Sequence, residues 1–217
     1  MIAHTLRFLS GVNSTLGLYK EGIHQAREAL EIYEQSNDKS GQGYAWQQLA
    51  WLLCKDNQLD AAEEAASHGI DLLSDLHDQF SVCECYHTLG LIYHSRGKKG
   101  EAINHYETAL RIATTFNWHE KLFWIHYAMA QVFDDENRFI DAHVHIKHAK
   151  SHAINVTYFL AHATKLQAMF WYRQHRLKEA KSGALDAVNV FEKLGAMMDL
   201  KACKELLQRI EWAMNEA

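Results

Sequence analysis

Small residues recur along this chain in phased triplets, set among larger apolar residues at helical spacing. The triplets are Ser10/Gly22/Ala29, Ala50/Ala62/Gly69, Gly90/Ala102/Ala109, Ala130/Ala142/Ala149 and Ala168/Ala180/Ala187. Within each triplet the steps are 12 and then 7; between triplets the step is 40 three times and then 38. A period of roughly 20–50 residues predicts a stacked-repeat architecture. Around the third triplet, Tyr86, Leu89, Gly90 and Tyr93 share one face of a predicted helix. A break at Gly97 follows, then a second helix carrying Ala102, Tyr106 and Ala109. The second unit repeats the scheme with Trp46, Leu49, Ala50 and Leu53, a break at Asn57, then Leu59, Ala62, Ala66 and Gly69. The fourth has His126, Met129, Ala130 and Phe133, a break at Asn137, then Phe139, Ala142, Ile146 and Ala149. Gly17, Asn57, Gly97 and Asn137 stand at equivalent points, with His175 in the fifth unit. Glycine and asparagine tolerate the left-handed backbone that ends a helix.

The pattern predicts five helical hairpins. The first two members of each triplet are expected where the helices of one hairpin cross, and the third where it meets the next hairpin. Small side chains there let backbones approach. Beyond a stop at Gly195, Leu200, Cys203, Leu207, Ile210 and Met214 recur at steps of 3 and 4 with Lys201, Lys204, Glu205 and Glu211 between them. That is one amphipathic helix, read as a cap over the last repeat.

The string Tyr86-x-x-Leu89-Gly90-x-x-Tyr93…Ala102-x-x-x-Tyr106-x-x-Ala109 resembles the tetratricopeptide (TPR) motif. Five phased copies cover residues 3 to about 193, with expected repeats at 3–41, 43–79, 81–117, 120–154 and 159–194 and the cap at 197–215. The resemblance implies an all-α fold: a right-handed α-solenoid of five hairpins plus a C-terminal capping helix, one domain over 1–217. The longer period is similar to kinesin-light-chain repeats, and the motif's closing proline is missing throughout. Asn13, Thr164 and Gln167 depart from the expected core residues of the terminal copies. Stretches such as Gln58–Ala66, Phe116–Tyr127 and Leu206–Glu211 resemble the C-terminal TPR arrays of fungal NACHT or NB-ARC (NOD-like) proteins. No G-x-x-x-x-G-K-[ST] loop is present, so an ATPase would lie on another part of a longer protein.

Composition narrows the function classes. Of 217 residues, none is proline, where ordinary usage near 5% would give about ten; a chain helical throughout explains this. A net charge of −5 gives no basic footprint, so nucleic acid is not an expected partner. No apolar run reaches the roughly 20 residues that span a bilayer, so no membrane is expected. The start, Met1 to Arg7, lacks a basic stretch leading into an apolar one, which with reduced thiols at Cys54, Cys83, Cys85 and Cys203 points to the cytoplasm. Asn13-Ser14-Thr15 and Asn155-Val156-Thr157 are read as chance matches to the glycosylation sequon.

No nucleophile or G-x-S-x-G signature stands out, and Asp134-Asp135-Glu136 reads as a solvated turn. The expectation is a non-enzyme without cofactors. Fifteen histidines are present, densest at His143, His145, His148 and His152. His145, His148 and His152 have helical spacing that would let a metal bind, but no carboxylate or thiolate is in phase, and the repeat phase places them on the outer surface as a polar stripe.

The TPR resemblance implies a concave face lined by the first helix of each repeat. Carried over, it assigns His4 and Arg7; Tyr44, Gln47, Trp51 and Lys55; Glu84, His87 and His94; Trp124, Tyr127 and Gln131; and Lys165, Met169, Tyr172 and Arg173. Aromatics mixed with Arg, Gln and His suit a protein or peptide ligand. Some of these aromatics are expected to fill core gaps instead. A carboxylate clamp of the chaperone-binding kind is not matched, since Gly11 and Gln48 occupy its asparagine positions. The function expected is a peptide-binding scaffold, the sensor array of a larger signalling ATPase. Alternatives are self-association into a homo-oligomer, or a metal- or small-molecule-responsive module built on the histidines.

Overall fold

A computed structural model describes residues 1–153 and 156–216. Its elements are α1 (Ile2–Thr15), α2 (Tyr19–Gln35), α3 (Lys39–Lys55), α4 (Leu59–Asp75), α5 (Gln79–Ser95), α6 (Lys99–Thr115), α7 (His119–Asp135), α8 (Phe139–His152), α9 (Thr157–Arg173), α10 (Leu177–Leu194) and α11 (Met197–Asn215). No strand occurs among the described residues. Asn155 of the second sequon, Ile154 at the end of the expected fourth repeat, and Ala217 lie outside them.

The helices end where the sequence punctuates them. Positive φ occurs at Gly17, Asn57, Gly97, Asn137, His175 and Gly195, as the repeat phase predicts. It also occurs at Asn37, His77 and Asn117, between successive hairpins and close to the expected repeat boundaries. Up to residue 137 a left-handed residue therefore falls every 20 positions. Each turn is closed by the hydrogen-bond pair of a Schellman cap. After α3, for example, Gln58 N–H donates to Leu53 O at 2.9 Å and Asn57 N–H to Cys54 O at 3.2 Å. Asp38 and Asp78 then cap the next helices, accepting from the backbone N–H of Gly41 and Ser81.

The helices form two compact units, residues 1–117 and 118–217. In the first unit each helix packs on the next from α1 to α6, with α1 on α3 and α3 on α5 as well. In the second, α7 to α11 pack in the same sequential way, with α9 also meeting α7 and α11. All fifteen triplet residues are buried. At Gly90 the reason is direct: a Cβ would stand 2.3 Å from the ring of Tyr106, itself fully buried. At Gly69 a Cβ would meet Gln47 N within its own hairpin and Cys85 Sγ of the next, at 3.3 and 3.1 Å. Ser10 is tolerated because its hydroxyl donates to Gly22 O at 2.9 Å. The α11 cap buries Leu200, Cys203 and Ile210 against Ala161, Ala187 and Phe191 at one end and Ala168, Ala180 and Ala184 at the other.

Gly90→Ala is expected to destabilise the chain by about 1–3 kcal/mol through overpacking against Tyr106. Gly100→Ala, where a Cβ meets nothing within 4 Å, is expected to stabilise it by up to about 1 kcal/mol through helix propensity. Urea unfolding of both variants checks the pair; equal shifts would remove the crossing argument.

Candidate functional site

In the first unit, the assigned residues of α1, α3 and α5 form a connected row. The guanidinium of Arg7 lies 5.5 Å from the Tyr44 ring centroid. Trp51 Nε1 donates to Ser14 Oγ at 3.1 Å, which fixes the indole. Lys55 Nζ lies 4.3 Å from the centroid of that indole, and His87 stacks on it at 6.4 Å and 27°. A cation above an aromatic face is an attractive arrangement that strengthens as water is removed. Loss of water also lowers the Lys55 pKa, with Cys54 acting weakly in the opposite sense.

Two polar atoms in this row are buried without a hydrogen-bond partner: Arg7 Nε and Gln48 Oε1. Gln48 was not among the residues assigned by repeat phase; its position opposite Gly11 was the available signal. A Cβ on Gly11 would stand 3.1 Å from the Gln48 amide nitrogen, so the glycine makes room for this side chain. Neither Arg7 nor Lys55 pairs with a carboxylate among the described residues. Arg96, by contrast, is neutralised by Asp60 and Glu63, and Tyr93 also donates to Glu63. Gln47, His87 and His94 are half-buried on the same helices, Gln47 with its backbone against Gly69. The row is an open surface. Two cavities of the first unit lie elsewhere, about 520 Å³ between Tyr86, Arg111 and Ile112 and about 460 Å³ beside Lys20, Arg27 and Glu31.

The second unit places its assigned residues differently. Trp124 sits edge-on to Phe123, Tyr127, Phe159 and His162, with centroids 4.9–5.7 Å away. Tyr127 is enclosed by the same cluster, and burial pushes its phenol up. These rings are occupied with packing. His162, 7% exposed, has its pKa pushed down to about 4, chiefly by desolvation. Its Nε2 stands 3.5 Å from Asp199 Oδ1, outside hydrogen-bonding geometry, while the Tyr158 hydroxyl donates to Asp199 Oδ2 at 2.9 Å. Lys165 lies 5.8 Å from the Phe191 centroid. Tyr172 packs with Leu206 and Leu207 of the cap. Arg173 is held by Asp134 and Asp135. Gln131 is half-buried on α7.

The histidine stripe requires a correction. His145 and His152 are half-buried against α7, whereas His148 stays exposed as the repeat phase placed it. His126 Nδ1 lies 3.0 Å from His145 Nδ1, and His119 Nδ1 3.2 Å from His152 Nδ1. The His126 ring also stacks 5.0 Å from His148 and 5.8 Å from His152. His145 and His152 flank Ala142, Ile146 and Ala149 at the edge of their buried face. No group of three metal-ligating side chains among the described residues is arranged to hold an ion.

Residues 83–116, which take in α5 from its fifth residue and all of α6, match the tetratricopeptide repeat family. No curated protein matches the sequence. Among solved structures, the chain is similar to a signal transduction ATPase with numerous domains carrying a tetratricopeptide repeat sensor, from Pyrococcus horikoshii, at TM-score 0.75 and 13% identity over 94% of this chain and 32% of that one. It is similar to the Rap conjugation gene regulator of plasmid pLS20 in complex with the Phr* peptide, at TM-score 0.66 and 15% identity over 99% and 62%. It is also similar to the nearly identical TPR-like repeats of a Podosopora anserina kinesin light chain, at 0.52 and 13% over 99% and 97%. The chain thus spans about a third and under two thirds of the first two. At these identities the likeness shows the fold: a TPR array. No described helix is long and apolar enough to cross a membrane.

The histidines carry a pH prediction. Burial first, then the other histidines, pushes His126 down to about 3, and burial also lowers His145 and His152. Asp141 opposes the effect at His145 and Arg138 adds to it. A depressed folded value means the unfolded chain takes up more protons below its own value near 6.5. Their contribution to stability is therefore complete above about pH 6.5 and is lost as pH falls towards the folded values, by about 1.4 kcal/mol per pH unit for each histidine kept neutral. Melting temperature is expected to be level from pH 8 to about 7 and to fall from there to pH 4.5. His126→Asn with His145→Asn should make the fall shallower; equal slopes would refute the assignment.

Proposed function

We propose that the chain is a non-catalytic scaffold that binds an extended, anionic peptide segment of a protein ligand along α1, α3 and α5. One observation carries the reading. Arg7 and Lys55 are two cations without carboxylate partners, each held over an aromatic ring, beside the unpartnered amide oxygen of Gln48 and the indole of Trp51. Uncompensated charge and half-buried aromatics in one row are what a peptide carboxylate and its flanking side chains require. The similar Rap regulator is in complex with the Phr* peptide, and the similar ATPase uses its repeats as a sensor. On that model the array is the ligand-recognition part of a larger signalling ATPase, located in the cytoplasm. In the second unit the corresponding aromatics are packed and Arg173 is neutralised, so the reading is confined to the first unit.

The test is selection of peptides from a random displayed library on the full chain, followed by anisotropy titration. Selected peptides are expected to carry Asp, Glu or a free C-terminal carboxylate and to bind more weakly as salt rises. Trp51→Ala and Lys55→Ala are each expected to weaken binding at least tenfold, about 1.4 kcal/mol. Selection of uncharged peptides whose affinity both variants leave intact would overturn the reading.

A further inference from the structure

The α7–α8 hairpin carries histidine at positions where the hairpins before it do not. In α5–α6, Gln79, Tyr86, Thr108 and Ile112 are among the residues that border the cavity of about 520 Å³. Forty residues on, these four positions are His119, His126, His148 and His152. Two of them are aromatic or aliphatic in both earlier hairpins. His126 corresponds to Trp46 and Tyr86, and His152 to Leu72 and Ile112. His126 is only 8% exposed. Tryptophan and tyrosine serve as well at its position, so packing alone does not call for an imidazole there. His145 has His105 as its equivalent, but His105 stacks on Tyr86 and Tyr93, whereas His145 meets His126.

The two α7–α8 pairs meet nitrogen to nitrogen. Nδ1 of His126 and Nδ1 of His145 are 3.0 Å apart, and Nδ1 of His119 and Nδ1 of His152 are 3.2 Å apart. Two imidazole nitrogens each about 2.05 Å from one ion and 3.0 Å apart subtend about 95° at it. A separation of 3.2 Å gives about 100°. The first angle is close to the right angle between neighbouring ligands of a tetragonal ion, the geometry of Cu(II) and Ni(II), both of which imidazole suits. It is further from the tetrahedral angle that Zn(II) prefers. His119 is exposed, so its ring is the less firmly held, and the His126–His145 pair is the better-built of the two. Arg138, the cation acting on His145, is itself paired with Glu136 and Asp141, so its charge opposes a cation less.

We propose that the facing Nδ1 atoms of His126 and His145 are a chelating site for one divalent ion of tetragonal preference, Cu(II) or Ni(II). In the neutral pair one ring donates and the other accepts. Transfer of the donor's proton from Nδ1 to Nε2 of the same ring, through solvent, leaves two lone pairs facing the gap, and the ion takes the proton's place between them. No net proton is released, and nothing is oxidised or reduced. The pair supplies two of the ion's positions and water fills the others. The ion ties α7 to α8 and is separate from the Arg7–Trp51–Lys55 row.

Calorimetric titration of the full chain with Ni(II) tests the site, and electron paramagnetic resonance of the Cu(II) form identifies its ligands. Saturable Ni(II) binding is expected, with a rise in melting temperature, and the Cu(II) spectrum is expected to show coupling to two imidazole nitrogens. His126→Asn and His145→Asn should each weaken Ni(II) binding at least tenfold. His145 is only half-buried, so its variant decides the matter if His126→Asn does not fold. His24→Asn with His68→Asn removes two exposed histidines that sit beside glutamates and should leave the affinity unchanged. Trp51→Ala should also leave it unchanged, so this site and the peptide row fail independently. No saturable binding, or binding that His145→Asn leaves intact, overturns the proposal. Binding lost instead with His24→Asn and His68→Asn would put the ion on the exposed pairs and overturns it as well.

Discussion

Two helices approach only as closely as the side chains at their crossing allow, and in this chain every crossing is built on glycine, alanine or serine. Gly90 against the Tyr106 ring and Gly69 between Gln47 and Cys85 leave no room for a methyl group. Once the backbones are that close, the large side chains on either side are driven into the gaps beside the crossing, as Leu52 is over Gly22. Which residues become core and which are left on the outer side of the first helices follows from that one contact. The left-handed turns keep the contact in register. Helices α2 to α7 have 17 residues each, about 25 Å long. Equal lengths between turns place each crossing at the same depth along its hairpin.

Close packing also decides the chemistry of whatever polar groups are trapped within it. In the first unit the crossing hydroxyl of Ser10 is satisfied by Gly22 O. In the second unit the trapped groups are ionisable. Asp134 is 4% exposed, and burial raises its pKa even though Arg173 is paired with it. His126 and His162 are held neutral for the same reason. Neutral histidines can share one proton between facing Nδ1 atoms, as His126 and His145 are placed to do; a proton on both atoms would set donor against donor. The α7–α8 contact thus tolerates a neutral pair and is weakened by charge; at the α5–α6 contact His105 stacks on Tyr86 and Tyr93, and burial lowers its pKa as well.

The sequence made the crossings and most turns legible because each depends on one residue type at one place. Glycine and asparagine at Gly17, Asn57, Gly97 and Asn137 announced left-handed backbone, and the repeat phase carried the inference to His175. Asn37, His77 and Asn117 hold the same conformation between hairpins. Part of the histidine face was misread. The small residues mark only the centre line of a buried helix face, and at a close crossing the face is broad enough to take in the flanking positions, here His145 and His152. Gln48 is a third case: its role comes from the absence of a side chain at Gly11, a relation between two helices that periodicity alone does not express.

The two units differ in what remains available for a ligand. Repeat phase assigns each of them aromatics and cations on the first helices, and on sequence alone the two sets look equivalent. In the second unit Asp134 and Asp135 claim Arg173, and the cluster around Phe159 and His162 claims Trp124 and Tyr127. In the first unit Trp51 is braced by Ser14 yet open to Lys55 and His87, and neither Arg7 nor Lys55 meets an acid. Charge that is already paired within the fold has little left to give a ligand, because binding would first have to break that pair and desolvate both partners. Charge held over a ring and left uncompensated loses little of its existing stabilisation when an anion arrives. In the row of the first unit, the cations that the fold leaves without carboxylates lie on α1 and α3, at Arg7 and Lys55.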